Sequence, residues 1–212
     1  MRSFLALEVP APIVDYLGGV IEKLSKRTHG VKWVKRDGIH VTLKFLGEID
    51  EALPGQLRDA IASIGTIFAP FTASLKDLDA FPNRRRARVV IVRLDRGTEE
   101  MKAIFQEVEE RLTGFDFERE AREFTPHLTL GRMRTPGSFP NGDLPAIEKM
   151  EFLVDALVLF KSTLTPSGAL YSPIWKIKLG DRATELESSS KRLHPPNLED
   201  KLGGEKNEGR SK

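Results

Sequence analysis

The chain has no cysteine. Disulfides, thiolate metal sites and cysteine nucleophiles are therefore excluded, and a reducing, cytoplasmic setting is expected. Histidine is scarce, with four in 212 residues, and tyrosine and tryptophan occur twice each. No stretch approaches the ~18 apolar residues of a membrane span. Glu8 interrupts the short apolar N-terminus too early for a secretory leader. Neither sign of charge dominates: 33 basic and 31 acidic side chains leave a net charge of +2, so composition alone marks no nucleic-acid binder. What remains is an ordinary globular profile, 40% hydrophobic and 30% charged, long enough for one sizeable core or two packed lobes.

Periodicity divides the chain into short strands and amphipathic helices. Residues 3–9 read as a strand stopped by Pro10, and Pro12 opens a helix to about Arg27 with a stripe of Ile13, Leu17, Val20, Ile21 and Leu24. Residues 31–34 are extended and 39–46 form a clear strand. A helix is expected over 50–67, strands over 71–78 and 87–94, and a helix over 98–112. A strand follows over 125–133, then a Pro/Gly-rich loop over 134–145. Two last strands, 152–162 and 171–179, are joined by a turn at residues 165–168. Residues 182–212 carry many charges, Pro195-Pro196 and Gly203-Gly204 with only scattered leucines, and read as a disordered charged tail.

Two of the four histidines are used alike. Residues 39–47 read Ile-His-Val-Thr-Leu-Lys-Phe-Leu-Gly, and residues 126–132 read Pro-His-Leu-Thr-Leu-Gly-Arg. The motifs, at 40–43 and 127–130, lie 87 positions apart. The same shift lays strand 4–7 on 91–94 and the first helix largely on the third. Each half thus reads strand, helix, approach segment, motif strand, which points to a duplicated α+β unit spanning residues 1–181.

Strict alternation sends His40, Thr42 and Lys44 to one face and Val41, Leu43 and Phe45 to the other. It likewise pairs His127 with Thr129. With the halves face to face, two imidazoles and two hydroxyls converge. One neutral imidazole can take a proton from a nucleophile while the other, protonated, gives one to a departing oxygen. The threonine hydroxyls can hold phosphate oxygens between them. Two histidines alone do not fill a zinc site, so no metal and no cofactor are expected. Which imidazole is the acid stays open at this level.

The paired His-x-Thr-x segments resemble the signature of the two-histidine phosphoesterase superfamily, nearest to the RNA 2′,3′-cyclic phosphodiesterases first described as 2′-5′ RNA ligases. The resemblance extends to Arg2-Ser3-Phe4-Leu5-Ala6-Leu7, to Trp33, to His-Val-Thr-Leu-Lys-Phe-Leu-Gly and to Leu159–Leu164, and covers about residues 1–180. It implies a bilobal α+β fold, two antiparallel sheets flanked by helices around a central cleft. It implies metal-independent opening of RNA 2′,3′-cyclic phosphate ends to 2′-phosphates, with His40 as proton donor, His127 as acceptor and Arg132 on the phosphate. Strict alternation would turn Arg132 away from His127, so Gly131 must let the strand bend. Phe45 holds the equivalent place in the first motif, against a nucleobase or, as preferred, in the core. Reversible 2′-5′ RNA ligation and a non-catalytic RNA-end-binding module are the alternatives. The expected partner is RNA, with no membrane and no obligate protein partner. Arg84-Arg85-Arg86 and Arg88 form a basic knot that steers RNA or is a solvated hairpin tip. Trp33 and Tyr171 stack on bases or, more simply, are structural. His29 and His194 receive no role.

Overall fold

The computed structural model describes residues 1–139, 144–166 and 168–181. The elements run β1 (Arg2–Leu7), α1 (Ala11–Ser25), β2 (Val31–Trp33), β3 (Val41–Glu48), α2 (Leu53–Ile61), α3 (Ile64–Ile67), β4 (Phe71–Phe81), β5 (Ala87–Leu94) and α4 (Thr98–Arg111). They continue with β6 (His127–Gly137), β7 (Glu151–Val154), β8 (Ala156–Thr165) and β9 (Gly168–Lys178). A four-stranded sheet has the order β3-β1-β8-β9, and a five-stranded sheet has the order β2-β6-β5-β4-β7. Every pairing is antiparallel, and the class is α+β.

The two sheets are ordered alike. In each, a motif strand (β3 or β6) lies beside the strand that opens its half (β1 or β5), with a further antiparallel strand (β8 or β4) beyond. The five-stranded sheet differs by β2, which covers the outer edge of β6. Leu7 stands opposite Val41, and Val92 opposite Leu128. By register, then, Leu7 matches Val92 rather than Leu94, as the 87-residue shift predicts. The displacement is even, so side chains keep their faces.

The apolar stripe expected on the first helix is buried as read: Ile13, Leu17, Val20, Ile21 and Leu24 enter the core. On α4, Met101, Ile104 and Val108 do the same. Burying such stripes against the sheets supplies the main driving force for folding. Among the described residues, no helix is long and apolar enough to cross a membrane.

Four expectations need correction. The helix expected over 50–67 is two, because the chain breaks between Ile61 and Ile64 to lay Gly65 against β9. A Cβ at Gly65 would come within 2.7 Å of the Lys178 carbonyl oxygen, a contact only glycine allows. The strand expected over 152–162 divides at Asp155, where the chain leaves β4 in one sheet for β1 in the other. The loop expected from 134 starts later, since β6 runs on until Gly137 faces Ala87. The strand expected over 71–78 continues to Phe81, held by Val89 opposite. The proposed tail, residues 140–143 of the loop and Ser167 of the last turn lie outside the described residues.

Candidate active site

Pairing topology brings the two motifs to one place. Strand β2 pairs with β6, and the Val34 amide donates to the Leu130 carbonyl at 2.9 Å. A single turn at Arg36–Gly38 then carries the chain across to β3 in the other sheet, and β3 lies against β6. His40 sits on that crossing and His127 opens β6.

Both motif strands break alternation at the same point. Leu5 stands opposite Lys44 but Ala6 opposite Thr42, so β3 carries one extra residue, Leu43. Val90 stands opposite Gly131 but Ile91 opposite Thr129, so β6 carries one extra residue, Leu130. These are β-bulges, and each reverses the face of the residues that follow, until a second irregularity at Leu46 on β3 and beyond Arg132 on β6. Burial records the change: Leu43 and Lys44 are both buried, as are Leu130 and Gly131.

The bulges overturn two assignments made from strict alternation. Lys44 does not share a face with His40 and Thr42. It is only 6% exposed and donates to the Glu109 carboxylate at 2.6 Å and to the Glu118 carbonyl at 2.8 Å. Phe45 is not core. It is 63% exposed and returns to the His40 face beside the Phe4 ring, with centroids 5.9 Å apart. Arg132 is returned in the same way, exposed, to the face of His127 and Thr129. The residue needed at the bulge differs between strands because of β2. A Cβ at Gly131 would lie 2.6 Å from Val31 Cγ1 and 2.9 Å from the Trp33 ring, whereas β3 is an edge strand with room for Lys44.

Around His40 the surface is aromatic. Its ring stacks on Phe4 at 4.8 Å and Phe160 at 5.7 Å and meets Tyr171 edge-on at 5.4 Å. Phe45, Phe4 and Phe160 are direct cross-strand neighbours on β3, β1 and β8. Tyr171 in turn covers Gly38, where a Cβ would approach its ring to 3.3 Å. His40 Nδ1 is buried and finds no hydrogen-bond partner among the described residues. Burial lowers the imidazole pKa from 6.5 to about 4, since the charged form loses its water.

Around His127 the surface is charged. Its Nδ1 lies 2.7 Å from the Thr125 carbonyl oxygen. A carbonyl only accepts, so Nδ1 carries the hydrogen and Nε2 presents a lone pair in the neutral ring. Burial lowers the pKa, the Thr125 contact opposes this, and the Arg132 charge lowers it again. Phe81 packs edge-on against the ring at 4.8 Å. Arg93 stands directly opposite His127 and is held by Asp77 at 2.5 Å and Asp79 at 3.4 Å. The Arg93 hydrogen bond keeps the Asp77 carboxyl below its ordinary range.

Thr42 and Thr129 are half-buried beside their histidines, and neither hydroxyl is hydrogen-bonded among the described residues. The basic knot is not uniform. Arg84 is tied to Asp79 and to the Leu78 carbonyl, while Arg85 and Arg86 extend outward from a turn capped by the Asn83 side chain. Trp33 packs partly into the core, and His29 is exposed. His194 lies outside the described residues. A groove of about 410 Å³ lined by Lys76, Asp77, Leu78, Arg84 and residues 144–147 contains neither histidine. Sequence reading missed Phe4, Phe160, Phe81 and Arg93. Their only signal is strand parity, which is usable once the pairing partner is known.

The family model of the 2′-5′ RNA ligase superfamily matches residues 11–165. The chain belongs to that superfamily. It is 33% identical over 180 residues to an RNA 2′,3′-cyclic phosphodiesterase of Methanocaldococcus jannaschii, covering 82% of this chain and 98% of that one. A Thermotoga maritima protein of the same name is 30% identical over 183 residues, covering 83% and 94%. Among solved structures of this fold, a Thermus thermophilus protein superposes with a TM-score of 0.73 at 25% identity, covering 86% of this chain and 100% of its own. The E. coli LigT complex with 3′-AMP superposes at 0.70 and 22% identity, covering 85% and 98%.

Proposed function

We propose that the protein hydrolyses the 2′,3′-cyclic phosphate at RNA ends to a 2′-phosphomonoester, with His127 as general base and His40 as general acid and with no metal required. The observation that carries the division of labour is the Thr125 carbonyl on His127 Nδ1, which leaves Nε2 as a proton acceptor. His40 has no such anchor. Superfamily membership and the relatives named above support the substrate.

In this reading, a water oxygen attacks phosphorus and His127 Nε2 takes its proton. The bond from phosphorus to the ribose 3′ oxygen breaks, and His40 gives that oxygen a proton. The products are a 2′-phosphate and a 3′-hydroxyl, and solvent exchange restores both imidazoles. Thr42 and Thr129 hold non-bridging oxygens, and Arg132 offers a two-pronged contact to the phosphate. His40 in the free protein is overwhelmingly neutral at pH 7, given its pKa near 4. The anionic phosphate itself raises that pKa on binding, so the acid is loaded by its own substrate. Phe45 lies beside the aromatic patch and contacts the terminal base. We read residues 1–181 as one two-lobed domain whose halves each contribute one proton shuttle.

The test is incubation with an oligoribonucleotide ending in a 2′,3′-cyclic phosphate, with the product identified by phosphorus NMR. A 2′-phosphate is expected, EDTA leaves the rate unchanged, and His40→Ala and His127→Ala each lower turnover by roughly 10²–10⁴-fold. Near-normal turnover in either variant, or a 3′-phosphate product, overturns the mechanism.

A further inference from the structure

The near-neutral composition hides an uneven distribution of cations. Most arginines and lysines near carboxylates are paired: Arg36 with Asp15, Arg93 with Asp77, Arg96 with Glu151, Arg111 with Glu107 and Lys176 with Glu8. Lys32, Arg85, Arg86, Arg132 and Arg134 are exposed cations at one end of the five-stranded sheet with no carboxylate partner among the described residues, and Arg88 on β5 is a sixth.

Register places them together. Lys32 stands directly opposite Arg132 across the β2–β6 pair, so the two side chains leave the sheet on the same face, about 5 Å apart at the backbone. That face, after the bulge at Leu130, is the one bearing His127 and Thr129. Arg134 follows on the same face, because the intervening Met133 packs against the core. On the other side of β6, the turn carrying Arg85 and Arg86 packs against the strand's far end. Lys32, Arg132 and Arg134 thus line a ridge that starts at Arg132 and runs away from the histidines toward the turn bearing Arg85 and Arg86. Gly131 makes this possible, since any side chain there would displace Val31 and Trp33 and with them Lys32.

We propose that this ridge, led by Lys32, binds the backbone phosphates upstream of the reacting end, so that the preferred substrate is a single-stranded RNA chain rather than a cyclic mononucleotide. The inference rests on the catalytic reading only for the polarity of the strand, with its reacting end at the histidines. Among the described residues, Asp79 is engaged by Arg84 and Arg93.

Binding is measured by fluorescence anisotropy with a 3′-phosphorylated single-stranded RNA of ten nucleotides, and kinetics with the cyclic-phosphate form of that RNA and with a 2′,3′-cyclic mononucleotide. Lys32→Ala and the double variant Arg85→Ala/Arg86→Ala are expected to weaken RNA binding several-fold and raise KM for the RNA. The slope of log affinity against log salt falls by about 0.7 for each phosphate that the variant no longer neutralises. The mononucleotide KM stays put, as does RNA affinity in a Lys23→Ala control on α1. Unchanged RNA affinity and salt slope in both ridge variants, or an equal loss with the mononucleotide, overturns the proposal. Binding is read without turnover, so a protein that grips RNA through the ridge yet opens no ring refutes the catalytic reading and leaves this one standing.

Discussion

The two motif strands spell the same pattern and share the same bulge, yet they face different company. On β3 the bulge turns Lys44 inward and Phe45 outward, into a patch with Phe4, Phe160 and Tyr171 around His40. On β6 it turns Gly131 inward and Arg132 outward, onto the face where Arg93 and its aspartates lie beside His127. One backbone device therefore presents an apolar ring from one sheet and a guanidinium from the other. A nucleotide end has a base and a phosphate, and in the proposed function the pair of surfaces divides along that line. The histidine environments differ accordingly. One imidazole is stacked, unpartnered and held neutral by burial; the other is oriented by a carbonyl and pressed toward neutrality by a nearby cation as well.

The harshest way to break the comparison is at the inward residue of β3. Lys44→Met leaves the Glu109 carboxylate buried without a counter-charge, at a cost of roughly 3–5 kcal/mol. Lys44→Met/Glu109→Leu should recover most of that in urea denaturation. A double variant no more stable than the single one shows that the ion pair is not what holds the bulge.

A milder change separates the outward residues. Arg132→Ala should lower kcat/KM about 10- to 100-fold on every cyclic-phosphate substrate, the worth of a charged hydrogen bond to phosphate. Phe45→Ala should act mainly on KM, and less for a substrate without a base. Equal losses from both variants, independent of the base, erase the division between an aromatic and a charged wall.

The smallest effects lie in pH dependence. His40 titrates near 4 in the folded chain and near 6.5 when unfolded, so between those values the unfolded state binds the extra proton. Stability therefore falls as pH drops from about 6.5 to 4, by at most about 3 kcal/mol from this group. His127 is shifted the same way and adds to the trend. His40→Phe keeps the ring stack, removes an unpartnered buried nitrogen and should flatten the decline while abolishing turnover. A stability profile as steep as wild type refutes the burial argument.

The helix stripes of α1 and α4 were readable in sequence because a 3.6-residue period is a local property. The motif pair was readable because His-x-Thr recurs at one spacing. The Asp155 sheet change and the break before α3 were not, since each depends on a partner strand distant in sequence. The same holds for Lys44, Phe45 and Arg132. Their identities are written in the chain, but the direction each points depends on one extra residue opposite β1 or β5.

By itself the sequence determined the chemical inventory: two imidazoles, two hydroxyls, one arginine and a repeated order of elements. Tertiary structure decided which side chains share a face and which cations are left unpaired. The physical reason is that strand parity is counted from pairing, not from position, and a bulge is a property of two strands rather than one.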